Sequence, residues 1–579
     1  MLRLPSPLHT LLLLLLTTTM VHAEVPLQVT IEGIEGESLE NVRLLLSIEQ
    51  QKGDELLLEG RIHRLHQKAP EEIRRALEPF GYYRVTIDAS LQQEEGMWHA
   101  RYRIDSGEPV RIAWAEVTLD GEAASDPPFT ELLQGTTLRK GAPFIHADYE
   151  GLKRELQHLA EERGYFEAQF TQHQARIDLA TYQATVKLHF ASGPRYRFGE
   201  LQFSGEHPFE EPFLHRYPDF APGESYDHAR VATLQRTLIA SDYFETVELQ
   251  VERSPNTERQ VPITVRLKQR PRNRYQFGIG YGSDSGVRGR VAHDRRWLNE
   301  KGDRLSSELQ LSEVSRSIAM QHTMPLSRPA SDRLVNRAEY LLDTGGDVDS
   351  RRILLGSAID RARGAWRNQW GISYQREDYD IGLQHDESTL FIANVGLSQL
   401  RGVDLLNLLR GLRLGLELRG ASRQVVSDTD FLQARLDAKS IVPLGKGRIL
   451  LRGEAVGTQV ETIELLPPSL RQFAGGDNSI RGFAYRAIGP TDVAGNVVGG
   501  KHLLVGSIEY DHPLSAKWRA ALFLDGGNAF NGEFVEAEKG AGIGIRRVLP
   551  IGLLRVDLAQ ALTDPDRPWR LHLTMGLEL

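Results

Sequence analysis

Apolar and polar positions along this chain repeat with two different periods, and the period changes near residue 274. Downstream the period is two. Tyr275, Phe277, Ile279 and Tyr281 alternate with Gln276, Gly278, Gly280 and Gly282. Leu412, Leu414, Leu416 and Leu418 alternate with Arg413, Gly415, Glu417 and Arg419. At the end of the sequence Trp569, Leu571, Leu573, Met575, Leu577 and Leu579 alternate with Arg570, His572, Thr574, Gly576 and Glu578. Such alternation predicts β-strands with one apolar face and one polar or small face. Upstream the spacing is helical: Tyr149, Leu152, Leu156 and Leu159 recur every three or four residues, which predicts an amphipathic helix.

The upstream region, residues 24 to about 270, also repeats as a whole. Three marks show it: Phe80-Gly81-Tyr82-Tyr83, Arg163-Gly164-Tyr165-Phe166 and Ser241-Asp242-Tyr243-Phe244, whose first tyrosines lie 83 and 78 residues apart. Each mark follows a helical pattern and precedes strand-like alternation, as in Val85-Thr86-Ile87 and Val247-Glu248-Leu249. Each unit therefore reads strand, helix, helix, strand, strand. The glycine suits a helix cap and the aromatic pair suits the start of a strand. The aromatic pairs are read as packing, not chemistry.

Two architectures fit the downstream alternation, a soluble sandwich and a closed barrel. Three features favour a membrane barrel. The last strand carries six apolar residues on one face, the inner positions are charged, and residues 271–579 would hold about sixteen strands with their turns. Barrel strands in lipid must close, because unpaired edge groups would each cost several kcal/mol.

Composition adds exclusions. Arg3, the apolar run Leu11 to Leu16 and the ending Val21-His22-Ala23 predict a secretory leader over residues 1–23. Without it 68 basic face 78 acidic residues, a charge of −10 that offers nothing to nucleic acid. There is no cysteine, hence no disulfide and no thiolate metal site. No run of about eighteen apolar residues follows the leader, so no membrane-spanning helix is expected.

Between the strand-like regions, Leu466 to His502 shows neither period. It contains Gly475-Gly476-Asp477-Asn478-Ser479-Ile480-Arg481-Gly482-Phe483. A loop this long is usually functional or disordered. Its glycines permit tight backbone and its arginine offers a rigid donor fork; a solvated surface turn is the plain alternative. Just beyond it, alternation places Glu509 opposite Ile508 and Tyr510, and Phe523 and Asp525 opposite Leu522 and Leu524. Both acids thus face the inner wall of neighbouring strands.

These residues resemble the Omp85 superfamily, and within it the translocation-and-assembly branch. The resemblance rests on the three repeated units, Tyr196-Arg197-Phe198-Gly199 at the start of the third, the tip Ile480-Arg481-Gly482-Phe483, Gly506 to Glu509, Phe523 to Gly527, and the loop from Phe473 to Asp477. It implies three α+β POTRA domains over 24–107, 108–193 and 194–270, then a transmembrane antiparallel β-barrel over 271–579, sixteen-stranded. It implies that Arg481, Gly482 and Phe483 anchor the loop to Glu509 and Asp525, with Gly475 and Gly476 as loop glycines. It implies a lateral gate between the first strand (Tyr275, Phe277, Ile279) and the last (Leu571, Leu573, Met575). The final Leu579 departs from the usual terminal aromatic of outer-membrane proteins. The implied role is insertion or secretion of outer-membrane proteins such as autotransporters. The implied location is the outer membrane of a gram-negative bacterium, with the POTRA domains in the periplasm. The implied partners are an inner-membrane-anchored periplasmic TamB-like protein, unfolded substrate proteins, and the lipid bilayer with its lipopolysaccharide. A two-partner-secretion pore or a general assembly factor is the alternative; the pore's relatives usually carry two POTRA units and a plug helix.

Catalysis is not expected. Gly282-Ser283-Asp284-Ser285-Gly286 lacks the spacing of a serine nucleophile elbow and reads as a hairpin turn. His63 and His66 have no third ligand in sight and read as a solvated helical face. No cofactor, metal or catalytic residue is assigned.

Overall fold

Three small three-stranded sheets precede one sixteen-stranded sheet. The structure is a computed structural model and describes residues 26–52, 57–253, 258–402, 410–534, 536–549 and 552–576. The expected leader, and the terminal Leu577 and Leu579, lie outside these residues.

The first small sheet is built from β1 (Leu27–Glu32), helices α1 (Gly36–Leu45), α2 (Ser47–Gln50) and α3 (Glu59–Leu77), then β2 (Thr86–Glu94) and β3 (Met97–Asp105). β3 lies in the middle, parallel to β1 and antiparallel to β2. The second repeats this with β4 (Arg111–Asp120), α4 (Pro127–Gln134), α5 (His146–Arg163), β5 (Gln169–Asp178) and β6 (Gln183–Ala191). The third has β7 (Arg197–Glu206), α6 (Glu211–Leu214), α7 (His228–Ala240), β8 (Phe244–Val251) and β9 (Gln260–Gln269), in the order β7-β9-β8. Helical spacing sets the packing: α5 buries Tyr149, Leu152, Leu156 and Ala160 against Ala184, Val186, Leu188 and Phe190 of β6.

The repeated marks turn the chain after each helix. Gly164 adopts φ 85 and its N–H donates to the Ala160 carbonyl, closing α5. Gly81 adopts φ 86 at the same place, and in the third unit Asp242 takes the left-handed position with φ 60. Aspartate is one of the few residues that tolerate it. The aromatic pairs differ from expectation. Tyr82-Tyr83 and Tyr165-Phe166 lie in turns ahead of β2 and β5; only Phe244 opens a strand. The rings are spent on packing instead: Tyr165 stands edge-on to Phe129 and donates its hydroxyl to Asp126 at 3.1 Å. Of the two histidines read as a solvated face, His63 is exposed and His66 is part-buried. His63 packs edge-on against Trp98, and His66 Nδ1 lies 2.9 Å from the Tyr102 hydroxyl, so burial lowers its pKa.

The chain divides into two compact units. One runs to Glu200 and adds Ala221–Ala229 and Val251–Pro262; the other holds Leu201–Phe220, Arg230–Gln250 and Ile263 onward. Within the second unit, Phe209 packs between Tyr243 and Trp297, and the Tyr243 hydroxyl donates to the Gly302 carbonyl at 2.5 Å. Asp242 gathers Arg274 and Arg296 at 3.3 and 3.1 Å. The third mark is therefore the fastening point of the large sheet's first strands.

That sheet runs in strict chain order from β10 (Asn273–Gly282) to β25 (Trp569–Gly576), each strand antiparallel to the one before. Its two faces decide between barrel and sandwich. Tyr275, Phe277, Ile279 and Tyr281 are exposed, Ile279 by 85%, while Gln375, Glu377, Gln433, Arg448, Asp525 and Arg546 are buried on the other side. A sandwich would bury the apolar face. The sheet is a nearly closed sixteen-stranded barrel with a polar interior. No helix among the described residues is long and apolar enough to cross a membrane.

Among the described residues closure is incomplete at one place: no ladder joins β25 to β10. Two bonds cross there: the Ser283 N–H donates to the Leu573 carbonyl at 3.3 Å, and the Leu573 N–H donates to Ser283 Oγ at 3.0 Å.

Candidate functional site: a lumenal loop on a wall of acids

Residues 461–501 connect β20 (Gly447–Val460) to β21 (His502–Pro513). They fold inward. Ile480, Phe483, Ala474 and Ile488 are buried against Val456, Leu503, Val505, Ala529 and Ala561 of the wall. Gly475, Gly476 and Gly482 adopt φ of 96, 103 and 98. At Gly482 a side chain would also meet the backbone of Gln560 and Ala561 at 2.7 Å, so this position needs glycine twice over.

The tip delivers Arg481 to the inner faces of β21, β22 (Trp518–Phe530) and β24 (Gly552–Ala561). Its Nε and Nη2 donate to the two oxygens of Asp525 at 2.7 and 2.9 Å, a bidentate fork. Its backbone N–H donates to Asp525 at 3.0 Å. Nη1 donates to Glu509 at 2.7 Å and to Asp557 at 3.1 Å. The guanidinium lies over the Phe523 ring, 3.4 Å from its centroid. Arginine, the residue whose planar fork can serve two carboxylates and an aromatic face together, is the side chain this pocket requires. Arg481 thus meets Glu509 and Asp525 at one place, while Gly482 lies against Gln560, Ala561 and His572 and Phe483 joins the apolar cluster.

The sequence reading missed the rest of the network. Arg546, on β23 (Glu538–Leu549), donates to Glu509 at 2.8 Å and to Asp557 at 2.5 Å. Arg448 pairs with Asp511 at 2.8 Å, and Arg452 donates to the Ser479 carbonyl at 2.5 Å. The signal was the same alternation that found Glu509. Arg546 and Asp557 lie one residue from the exposed Ile545 and Leu558, so they had to face inward. Buried charges survive here because each acid meets arginine donors.

The loop is fastened elsewhere too. Arg471 donates to Gln384 at 2.6 Å and to the Leu466 carbonyl at 2.8 Å. Ser469 engages Gln375 at 2.8 Å and hydrogen-bonds Glu377. Arg486 pairs with Asp343 at 2.8 Å. The loop therefore spans the lumen between opposite stretches of wall.

The implied gate residues sit as follows. Tyr275, Phe277, Ile279 and Leu571 are exposed on the outer face; Leu573 and Met575 are partly so. Beside them Asp284, Asp477 and His572 bring oxygen and nitrogen atoms within 4.8 Å of one another. The hydrogen bonds argue against a metal ion. His572 Nε2 accepts the Gly482 N–H at 2.9 Å, which leaves the ring proton on Nδ1, facing Asp477 at 2.5 Å. A metal on Nδ1 would force a proton onto Nε2, against another N–H.

Comparison with known proteins bears on the same regions. Residues 298–578 match the Omp85 superfamily domain, 28–106 match the POTRA domain described as TamA domain 1, and 196–270 match the POTRA family described as a surface antigen variable number repeat. The chain is 24% identical over 504 residues to the outer membrane protein assembly factor BamA of Neorickettsia risticii, covering 79% of this chain and 64% of that protein. It thus spans under two thirds of that relative's length. Its fold is similar to the crystal structure of BamA from Haemophilus ducreyi lacking POTRA domains 1–3. That likeness has a TM-score of 0.68 and 17% identity, over 81% of this chain and 100% of that one.

Proposed function

We propose, for a chain that carries an Omp85 superfamily domain behind POTRA domains, that it assembles outer-membrane proteins by opening the barrel sideways between β10 and β25. The observation that carries this reading is the seam. Every other neighbouring strand pair is joined by a ladder, whereas β25 and β10 meet through Ser283 and Leu573. An unpaired strand edge is a template for an incoming strand, and β-augmentation would let a substrate add to it. No step of this role calls for a catalytic side chain or a cofactor.

The finer assignment is to the outer-membrane subunit of the translocation and assembly module, TamA. It is supported by the TamA-type match at residues 28–106 and by the three small α/β units. On this reading the barrel sits in the outer membrane of a gram-negative bacterium and the POTRA domains hang in the periplasm. The POTRA domains engage a TamB-like partner anchored in the inner membrane, and the substrates are proteins of the autotransporter kind.

The test uses the absence of native cysteine. Cysteine pairs placed on β10 and β25, such as Tyr281→Cys with Met575→Cys, are oxidised and substrate assembly is measured. Assembly should stop on crosslinking and return on reduction. Full activity in the crosslinked protein would rule the gate out. A passive secretion pore, by contrast, would show a large steady conductance in planar bilayers despite the buried loop.

A further inference from the structure

The loop tip does more than meet the wall of acids: it holds both edges of the seam. Asp477 lies four residues before Arg481, and its Oδ1 accepts two hydrogen bonds. One comes from Ser283 Oγ at 2.9 Å, in the turn that follows β10. The other comes from His572 Nδ1 at 2.5 Å, on β25. The Asp477 N–H donates to Asp284 at 2.5 Å, again on the β10 side. Gly482, at the other end of the tip, donates to His572 Nε2 at 2.9 Å. Ser283 uses its hydroxyl proton on Asp477 and its lone pair on the Leu573 N–H, so the seam's own bond and the loop's bond share one oxygen.

We propose that Asp477 is a clasp: a loop carboxylate that binds the first and last strands to each other where their ladder is missing. The chemistry fits. A carboxylate oxygen can accept from two donors at once, and His572 and Ser283 present one donor each. His572 is buried and held in the Nδ1–H tautomer by Gly482, so it is already set to donate. Without the Asp477 carboxylate both donors lose their acceptor. Among the described residues the edges then keep the two direct Ser283–Leu573 bonds, and the tip holds them only through its backbone N–H bonds to Asp284 and His572. Loop position and seam width then become one variable, and moving the tip inward or outward releases the strands. The proposal deepens the gate reading and rests on it for its functional meaning. The clasp itself is a structural statement that can be tested apart.

The experiment measures distance across the seam. Tyr281→Cys and Leu571→Cys, both on the exposed outer face, carry spin labels in the purified full-length protein, and the label separation is read by pulsed electron resonance. With Asp477 present one narrow distance is expected. Asp477→Ala should add a population longer by at least about 5 Å, one strand spacing. Asp477→Asn, whose amide oxygen still accepts, should restore most of the narrow distance. Ser283→Ala removes the β10 arm together with the Leu573 N–H bond to the same oxygen, leaves the His572 arm in place, and should also widen the seam; it serves if Asp477→Ala fails to fold. Heat-modifiable gel migration and protease protection of the loop confirm that Arg481 still anchors the tip in each variant. An unchanged distance in both alanine variants, with the loop protected, overturns the clasp. A widened seam with unaltered substrate assembly keeps the clasp and overturns the gate. A crosslink that stops assembly, together with unchanged distances, does the reverse.

Discussion

The second small domain and the barrel lumen solve the problem of a filled interior with opposite materials. Around α5 the interior is Leu152, Leu156, Val186, Leu188 and Phe190. Around Arg481 it is Glu509, Asp525, Asp557 and Arg546. A small domain in water buries its apolar face; a barrel that turns its main apolar face outward lines much of its inside with polar and charged residues, beside a smaller apolar patch under the loop. The first interior is non-directional and tolerates similar shapes. The second is directional: each contact depends on a donor meeting an acceptor, so a single loop can be held in one register.

The predictions sharpen that contrast. Arg481→Ala should be the most damaging, because it leaves Asp525 buried without its bidentate arginine and takes one of two arginines from Glu509 and Asp557, at a cost of about 3–5 kcal/mol. Limited proteolysis should cut the 461–501 loop in this variant; wild-type resistance would show that the ion pairs do not hold it. Leu156→Ala, fully buried in the second domain, should cost about 2–4 kcal/mol of that domain's stability. Yet heat-modifiable barrel migration should not change; a shift of the barrel transition would mean that the two interiors are not independent. Arg481→Lys keeps the charge and loses the fork, and should cost about 1–2 kcal/mol. Proteolysis of its loop at intermediate rate is the expected result. At the small end, the exposed Arg75–Glu71 pair on α3, 3.4 Å apart, should contribute under about 0.5 kcal/mol and vanish in high salt. Thermal unfolding of Arg75→Ala at two salt concentrations measures it.

What could be read beforehand follows the same division. Alternation alone set Glu509, Phe523 and Asp525 inside and Ile508, Leu522 and Leu524 outside, and the burial agrees at each. The helical spacing of Tyr149, Leu152 and Leu156 found the α5 core as directly. Strand parity could say that Arg546 and Asp557 face inward, but not that they meet Glu509 and Arg481. That depends on the stagger of neighbouring strands, which no local pattern encodes. Asp477 and His572 were harder still. Their partners lie on either side of the barrel's closure; Ser283 is 194 residues from Asp477, and only the closed sheet brings them together. The aromatic pairs were placed a few residues too early in strands because a left-handed cap at Gly81 or Gly164 is followed by further turn before the pleat begins.

The claim at the centre is that one arginine and its acids hold the loop in the lumen as a single coupled unit. A double-mutant cycle on Arg481→Ala and Asp525→Ala, scored by the denaturant midpoint of loop protection, addresses it most directly. The account predicts strong coupling, on the order of 2–3 kcal/mol, with the double variant no worse than Arg481→Ala alone. Additive losses, the double variant falling by the sum of the two singles, would contradict it.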